Sequence, residues 1–325
     1  MELYTFEFVN TSIIDSTSFG YLLPTRGLVL KGGKPDFGTI LSLSKLAEDS
    51  GFTSLWVGDS ILAKPRLEPL TTIAAIASVC KKAILGTSVL LPALRQPVVL
   101  AHAISTLDLI TSGRLLIGVG NGGPFEIYQK EFANCGIPIK QRISRTDETV
   151  KVMKMLWSQN HVSFSGKTCN INDVSLEPKP FTPGGPKVIM SAGNPMTEVS
   201  ISRVAKVSDG WMTAQMTPEQ YAEVWSKIQQ VDPGKHLIPS LYMTMNLNSD
   251  ESAAKKESTD YLERYYGAAA HLETWGPFGP PDEAVERLQK YYDAGVRIFA
   301  IRFSSFEQEK QISLFTEKVL PNLPR

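Results

Sequence analysis

One pattern governs the chain: a short apolar run, a polar or glycine-containing loop, then an amphipathic helix, recurring about eight times. The first strand is read at residues 19–23, closed by Pro24-Thr25-Arg26-Gly27. The helix after it spans about 36–50, with Ile40, Leu43, Leu46 and Ala47 on one face and Gly51 as its stop. The unit returns with strands at 54–58, 83–88 and 114–120 and with helices opening near Glu68-Pro69 and at Pro97. It resumes with strands at 187–191, 209–213, 239–246 and 297–303. Their helices open at Pro195 and Thr217-Pro218, then cover 250–266, 281–294 and 307–319. Strands that are apolar along their whole length, and do not alternate, belong to a parallel sheet covered on both faces. Eight such units close a (β/α)8 TIM barrel.

The length agrees. A plain barrel needs about 250 residues, and the 325 present here place the surplus mainly in an insertion after strand four, about 121–186. That stretch carries a glycine loop, a helix near 144–158 and a hairpin within 161–176. No Ser/Gly/Pro-rich linker divides the chain, so residues 1–325 are expected to form one domain.

Charge and residue usage then exclude several classes of function. Lys+Arg 33 balance Asp+Glu 33, and the basic residues are scattered singly, so nucleic acid is not the expected main partner. Cys80, Cys135 and Cys169 show no C-x-x-C spacing, and His102, His161, His236 and His271 lie far apart, so no protein-built metal site is expected. The N-terminus lacks the charged flank and apolar core of a signal peptide. The longest charge-free apolar stretch, 83–94, is too short to span a bilayer. A cytoplasmic protein without membrane contact is expected.

A barrel of this kind places its active site at the carboxyl ends of the strands. The candidates there are Pro24 to Gly27, Asp59-Ser60, Thr87 to Leu90, Gly120 to Gly123, Ser191 to Asn194, Thr213 to Gln215, Asn246, and Arg302 to Ser305. Gly118-Val119-Gly120-Asn121-Gly122-Gly123 matches G-x-G-x-x-G, but Pro124 and an irregular stretch follow where a phosphate-binding helix should begin. The glycines either admit a flat ligand to the backbone or thin a strand to fit the barrel. In Ser191-Ala192-Gly193-Asn194-Pro195-Met196-Thr197, Asn194 can N-cap and Pro195 suits the first helical position, which makes the helix start an anion site. With zero net charge, that reading predicts a phosphate held by backbone amides and not by a basic patch. Asp59-Ser60 either serves proton transfer or a ligand hydroxyl, or caps the loop that follows. His102 reads as a packed helix residue and Asp147-Glu148 as a solvated helix face. No Ser/His/Asp triad or spaced carboxylate pair is visible, so the chemistry is expected from an organic cofactor.

Several stretches together resemble the bacterial-luciferase-like, flavin-dependent monooxygenase family. They are Gly51 to Ser60, Leu85 to Pro92 with Gln96-Pro97-Val98, and Thr106-Leu107-Asp108 with Ser112-Gly113-Arg114. Gly118-Val119-Gly120, Asp209-Gly210-Trp211 and Gly295-Val296-Arg297 follow in order. The resemblance implies an oxidoreductase that uses reduced FMN and O2 on a small organic substrate, with a separate flavin reductase as a partner and homodimers common. One branch uses the 8-hydroxy-5-deazaflavin coenzyme as a reductase or dehydrogenase instead. The resemblance further implies that Thr87, Ser88 and Val89 face the flavin ring, with a cis peptide at Ser88–Val89. By the same resemblance, Gly120, Asn121 and Ser191, Ala192, Gly193, Asn194 and Thr197 hold the ribityl-phosphate end. Luciferases proper have a histidine where this chain has Ser60, which leaves Asp59, Ser60 or Tyr128 as the candidate catalytic groups. The same replacement also supports a non-catalytic flavin-binding protein.

Overall fold

The computed structural model describes residues 17–193, 195–267 and 275–324. Eight parallel strands close into a barrel: β1 (Ser18–Leu22), β2 (Ser54–Val57), β3 (Ile84–Leu90), β4 (Leu115–Val119), β5 (Lys187–Ser191), β6 (Gly210–Thr213), β7 (Ile238–Leu247) and β8 (Ile298–Phe303). Neighbours pair in chain order, and the ring shuts where β8 pairs β1 with Phe19 opposite Phe299. The uniformly apolar strands are explained by burial on both sides. Leu22, Trp56, Leu116, Ile189, Met212, Ile238, Ile298 and Ala300 fill the interior. Tyr21, Leu55, Leu85, Ile117, Val188, Trp211 and Phe299 face the helices.

Trp56 is the largest plug. A Cβ at Gly20 would stand 2.3 Å from its Nε1, and one at Gly86 would stand 2.5 Å from its ring. Those two positions must therefore be glycine for an indole to fit among the strands, where its N–H donates to Ser54 Oγ at 2.9 Å.

The helix starts follow local chemistry. Asp36 accepts from Gly38 N ahead of Phe37–Asp49, Glu68 from Thr71 N ahead of Pro69–Val79, and Thr217 and Gln220 form a reciprocal capping box ahead of Pro218–Val231. The fifth start differs from expectation. The helix opens at Glu198, with Thr197 as its N-cap accepting from Ser200 N at 3.2 Å, and Pro195 lies in the preceding loop. A hydroxyl cap followed by an acidic first turn outcompetes the proline start. Asn194, expected as the cap, lies outside the described residues.

Between β4 and β5 the chain forms Glu126–Asn134, a helix not expected from the sequence, then Arg142–Ser158 and an antiparallel hairpin of Val162–Ser165 with Asn170–Val174. Arg142–Ser158 packs beside Pro97–Thr111, and Trp157 Nε1 donates to Ala101 O at 3.0 Å. It therefore completes the outer ring, and the rest of 121–186 is the true addition. Among the described residues no helix is long and apolar enough to cross a membrane.

Candidate functional site

The carboxyl ends of the strands surround a cavity of about 760 Å³. Of the residues expected for catalysis and cofactor binding, ten reach its wall: Asp59, Ser60, Tyr128, Ser88, Val89, Gly120, Asn121, Ser191, Ala192 and Gly193. Of the other strand-end candidates Gly122, Gly123, Thr213 and Ala214 line it too, whereas Pro24 to Gly27, Asn246 and Arg302 to Ser305 do not. Leu22 and Met212 add apolar surface. The Ser88–Val89 peptide is cis, as the resemblance implies. Thr87 does not face the cavity; it is fully buried and donates its hydroxyl to Gly118 O at 2.8 Å. Thr197 is likewise taken up by its capping role, and Asn194 is outside the described residues.

The glycines after β4 serve the protein's own packing. The β3–β4 register shifts between Thr87 and Leu90, beside these glycines. A Cβ at Gly118 would sit 2.1 Å from Thr87 O, and one at Gly120 would sit 2.6 Å from Val89 Cγ2. The G-x-G spacing is thus a requirement of this strand pair, and no phosphate-binding helix follows it.

Asp59 and Ser60, expected as catalytic groups, are both engaged by protein. The Asp59 carboxylate accepts from Arg95 Nη1 at 2.5 Å and Nη2 at 3.2 Å, and from Leu91 N at 2.9 Å. Ser60 donates to Glu131 Oε1 at 2.9 Å and accepts from Lys64 N at 2.8 Å. Glu131 Oε1 also accepts from Ile61 N at 2.6 Å, Leu62 N at 2.8 Å and Ala63 N at 3.2 Å. A buried carboxylate from the unexpected helix Glu126–Asn134 therefore shapes the loop after β2.

The largest departure from expectation is electrostatic. Arg142, Arg203, Lys64 and Arg66 line the cavity, with Asp59 the lining carboxylate among the described residues. The amides proposed for phosphate binding are partly used: Ala192 N donates to Met212 O at 3.1 Å and Ser200 N to the Thr197 cap. A basic patch is present after all. Single, scattered cations in sequence converge because loops from different strands meet at one end of a barrel. At one side Arg203 donates to Asp147 Oδ1 at 2.6 Å and Asn121 Oδ1 at 2.8 Å, and it rises from the second turn of the helix that opens at Glu198. Asp147 is thus no solvated residue, and burial pushes its carboxyl up despite Arg203. Glu148 beside it accepts from the Lys167, Thr168 and Cys169 amides of the hairpin. His102, expected to be packed, is exposed.

At the other side Lys64 lies 4.2 Å from the Tyr266 ring centre and 5.4 Å from that of Tyr128. Arg302, on β8, sits behind the lining among Tyr242, Tyr265, Tyr266 and Trp275, within 5.3 Å of each ring centre. Burial pushes the Lys64 amine down to about 7, reinforced by Arg66, Arg26 and Arg302 and opposed by Glu131. Burial pushes Tyr128 up to about 12 and Tyr242 well above the phenol range. For Tyr265 burial also pushes upward, but Arg66, Arg302 and Arg26 outweigh it and hold the phenol below its ordinary value. Sequence reasoning did not find Lys64, Arg66, Glu131, Arg142 or Arg203. They stand in loops or on helices away from any motif, and of the cations on this side only Arg26 and Arg302 were at positions singled out.

Comparison with known proteins places this geometry in context. A family model described as luciferase-like monooxygenase matches residues 17–232. An F420-dependent glucose-6-phosphate dehydrogenase of Amycolatopsis mediterranei (strain U-32) is 27% identical over 311 residues, spanning 85% of this chain and 92% of the relative. The crystal structure of monooxygenase RslO1 from Streptomyces bottropensis superposes with a TM-score of 0.81 at 22% identity, over 94% of this chain and 99% of that one. An F420-dependent secondary alcohol dehydrogenase in complex with an F420–acetone adduct has a TM-score of 0.77 at 20% identity, over 95% and 100% of the two chains. The two solved structures share the fold.

Proposed function

The chain belongs to the luciferase-like monooxygenase family, and on that premise we propose that it is an oxidoreductase working on a small organic substrate through F420, the 8-hydroxy-5-deazaflavin coenzyme. The observation that carries the reading is the convergence of Ser88–Val89, Gly120–Asn121 and Ser191–Gly193 on one cavity whose far end presents Arg203 and Arg142. The choice of F420 over FMN is supported by the near full-length relative named as F420-dependent. FMN with O2 remains the second reading, supported by the family's description as monooxygenases.

The residues fit such a group. Arg142 lines the cavity, its Nη1 donates to Ile139 O at 3.3 Å and its buried Nε has no partner among the described residues, so the guanidinium would have capacity left for an anion. Arg203, fixed by Asp147 and Asn121, would hold the phosphate, assisted by the dipole of the helix it belongs to. The backbone at Ser88–Val89, with Leu22 and Met212, would bound the flat ring. When bound, the coenzyme supplies two-electron redox chemistry. Asp59 and Ser60 act by positioning: the first anchors Arg95 and the Leu91 amide, the second the turn that carries Lys64. The tyrosines at the opposite wall keep water from the reacting face.

Fluorescence titration of the apo-protein with F420 and with FMN tests this. Saturable binding of F420, tighter than that of FMN and weakened about tenfold or more by Arg203→Met, is the expected outcome. Tighter FMN binding, with substrate-dependent O2 consumption, would transfer the site to the second reading. No saturable binding of either coenzyme would remove both.

A further inference from the structure

We propose that the cavity wall opposite Arg203 is a binding box for an oxyanion carried by the substrate, built from Arg66, Lys64 and the tyrosines beside them, with Arg302 behind the wall adding its charge. The inference deepens the reading above by assigning a substrate class, and it rests on the coenzyme occupying the Arg203 end.

Four cations from three parts of the chain gather at this wall: Arg26 from the loop after β1, Lys64 and Arg66 from the loop after β2, and Arg302 from β8. Among the described residues none of them forms an ion pair. The contrast is local, because nearby Arg95 is paired with both Asp59 and Glu68, and Arg203 with Asp147. Arg302 is buried and the other three are half-buried, and positive charge withdrawn from water with no counter-ion among the described residues is costly, a cost the aromatic rings offset only in part. Like charges held together in this way create a strong preference for an anion.

The placement is built into the strands. A Cβ at Gly58, just after β2, would fall 2.3 Å from Arg66 Nη1, so that glycine makes room for the guanidinium. The Arg66 Nε donates to Lys64 O at 3.1 Å, which ties the guanidinium to its own loop. Arg302 is buried and donates through Nη1 to Tyr266 Oη at 2.7 Å and through Nη2 to Thr244 Oγ1 at 2.7 Å, while its Nε has no partner among the described residues. Tyr266 accepts from Arg302, and Tyr242, Tyr265 and Tyr266 line the cavity on this side. Among the described residues no carboxylate pairs with these cations, and guanidinium and ammonium groups brought together are the donor set that a carboxylate, sulfonate or phosphoryl group requires. A hydrocarbon would leave those donors unsatisfied, and a neutral alcohol, though it can accept from them, would leave the positive charge uncompensated.

Calorimetric titration of benzoate against its neutral isostere benzamide, on protein saturated with its coenzyme, tests the box. Benzoate binding at least tenfold tighter than benzamide, and weakened about tenfold by Arg66→Gln and by Lys64→Met, is expected. Equal binding of the two probes, or benzoate binding unchanged in both variants at undisturbed melting temperature, overturns the proposal. If neither coenzyme binds, the same titration on Arg203→Met protein isolates this wall. Selective benzoate binding there would keep the box while the coenzyme reading fails.

Discussion

Lys64 stands four residues past Ser60, where the luciferases proper carry an imidazole, and its surroundings give it a comparable titration range. Arg66 shares its loop, Arg26 acts on it from the loop after β1 and Arg302 from β8, Glu131 from the helix Glu126–Asn134, and the rings of Tyr266 and Tyr128 lie beside it. Burial and three guanidiniums outweigh Glu131 and bring the amine down to about 7, against an ordinary value near 10.4. The sign follows directly. Below pH 7 the folded protein presents an ammonium at the box, and above it a neutral amine, so an anion loses one attractive charge as the pH rises. Sulfate, which does not itself titrate in this range, is therefore expected to bind the coenzyme-saturated protein more weakly at pH 8 than at pH 6, and Lys64→Met should flatten that dependence. Calorimetry at several pH values checks it; a wild-type affinity that does not change across the interval would take Lys64 out of the box. None of this was legible in the sequence, where Lys64 is one polar residue in an aperiodic loop. What could be read was the position of Ser60 and the absence of a histidine there. The glycines show the opposite case: Gly118 and Gly120 were conspicuous, but whether they admitted a ligand or a strand depended on the 2.1 Å approach of Thr87 O that only the folded register creates.

At the scale of elements, the helix Glu126–Asn134 does more for the site than its composition suggests. Its buried residues are Glu131 and Phe132, and through Glu131 Oε1 it gathers three successive amides and the Ser60 hydroxyl. Truncation by Glu131→Ala would leave those donors without their acceptor, at a cost of about 2–3 kcal/mol. It should also loosen the loop that carries Lys64 and Arg66, so benzoate affinity should fall with stability. Urea unfolding measures the first effect and calorimetry the second; a variant with the wild-type midpoint would show that the carboxylate does not hold the loop. The helix escaped sequence reasoning because it has no continuous apolar face and fastens itself by one charged residue. Helices with local signals were found: Asp36, Glu68 and Thr217 cap the helices read there. The start at Glu198 was misplaced by three residues because Asn194-Pro195 and Thr197-Glu198 both carry start signals, and local chemistry alone does not rank them.

The whole molecule was the most legible level, because a parallel barrel makes every strand apolar on both faces and the recurrence survives in one dimension. Its electrostatics were the least legible, since charge sums say nothing of where charges meet. The outer helices neutralise themselves through pairs one turn apart, among them Lys45–Asp49, Lys130–Glu126, Lys227–Glu223, Lys255–Glu251 and Lys290–Glu286. Such exposed pairs contribute little stability, but they leave the cavity, with Lys64, Arg66, Arg142 and Arg203 at its wall, as a concentrated source of positive potential on a chain of net charge +0. A low-dielectric cleft focuses that potential, and steering of this kind accelerates association by roughly 10-fold or more at low salt. The association rate of the anionic coenzyme should accordingly drop about tenfold as salt rises from roughly 0.01 to 0.3 M, over which the Debye length contracts from about 30 Å to under 10 Å. In the Arg66→Gln/Arg203→Met double variant the dependence should shrink markedly. Stopped-flow fluorescence gives both slopes. A rate independent of salt in the wild type would mean that the cavity cations act only on contact, and that a neutral molecule of this kind meets its anions by unassisted diffusion.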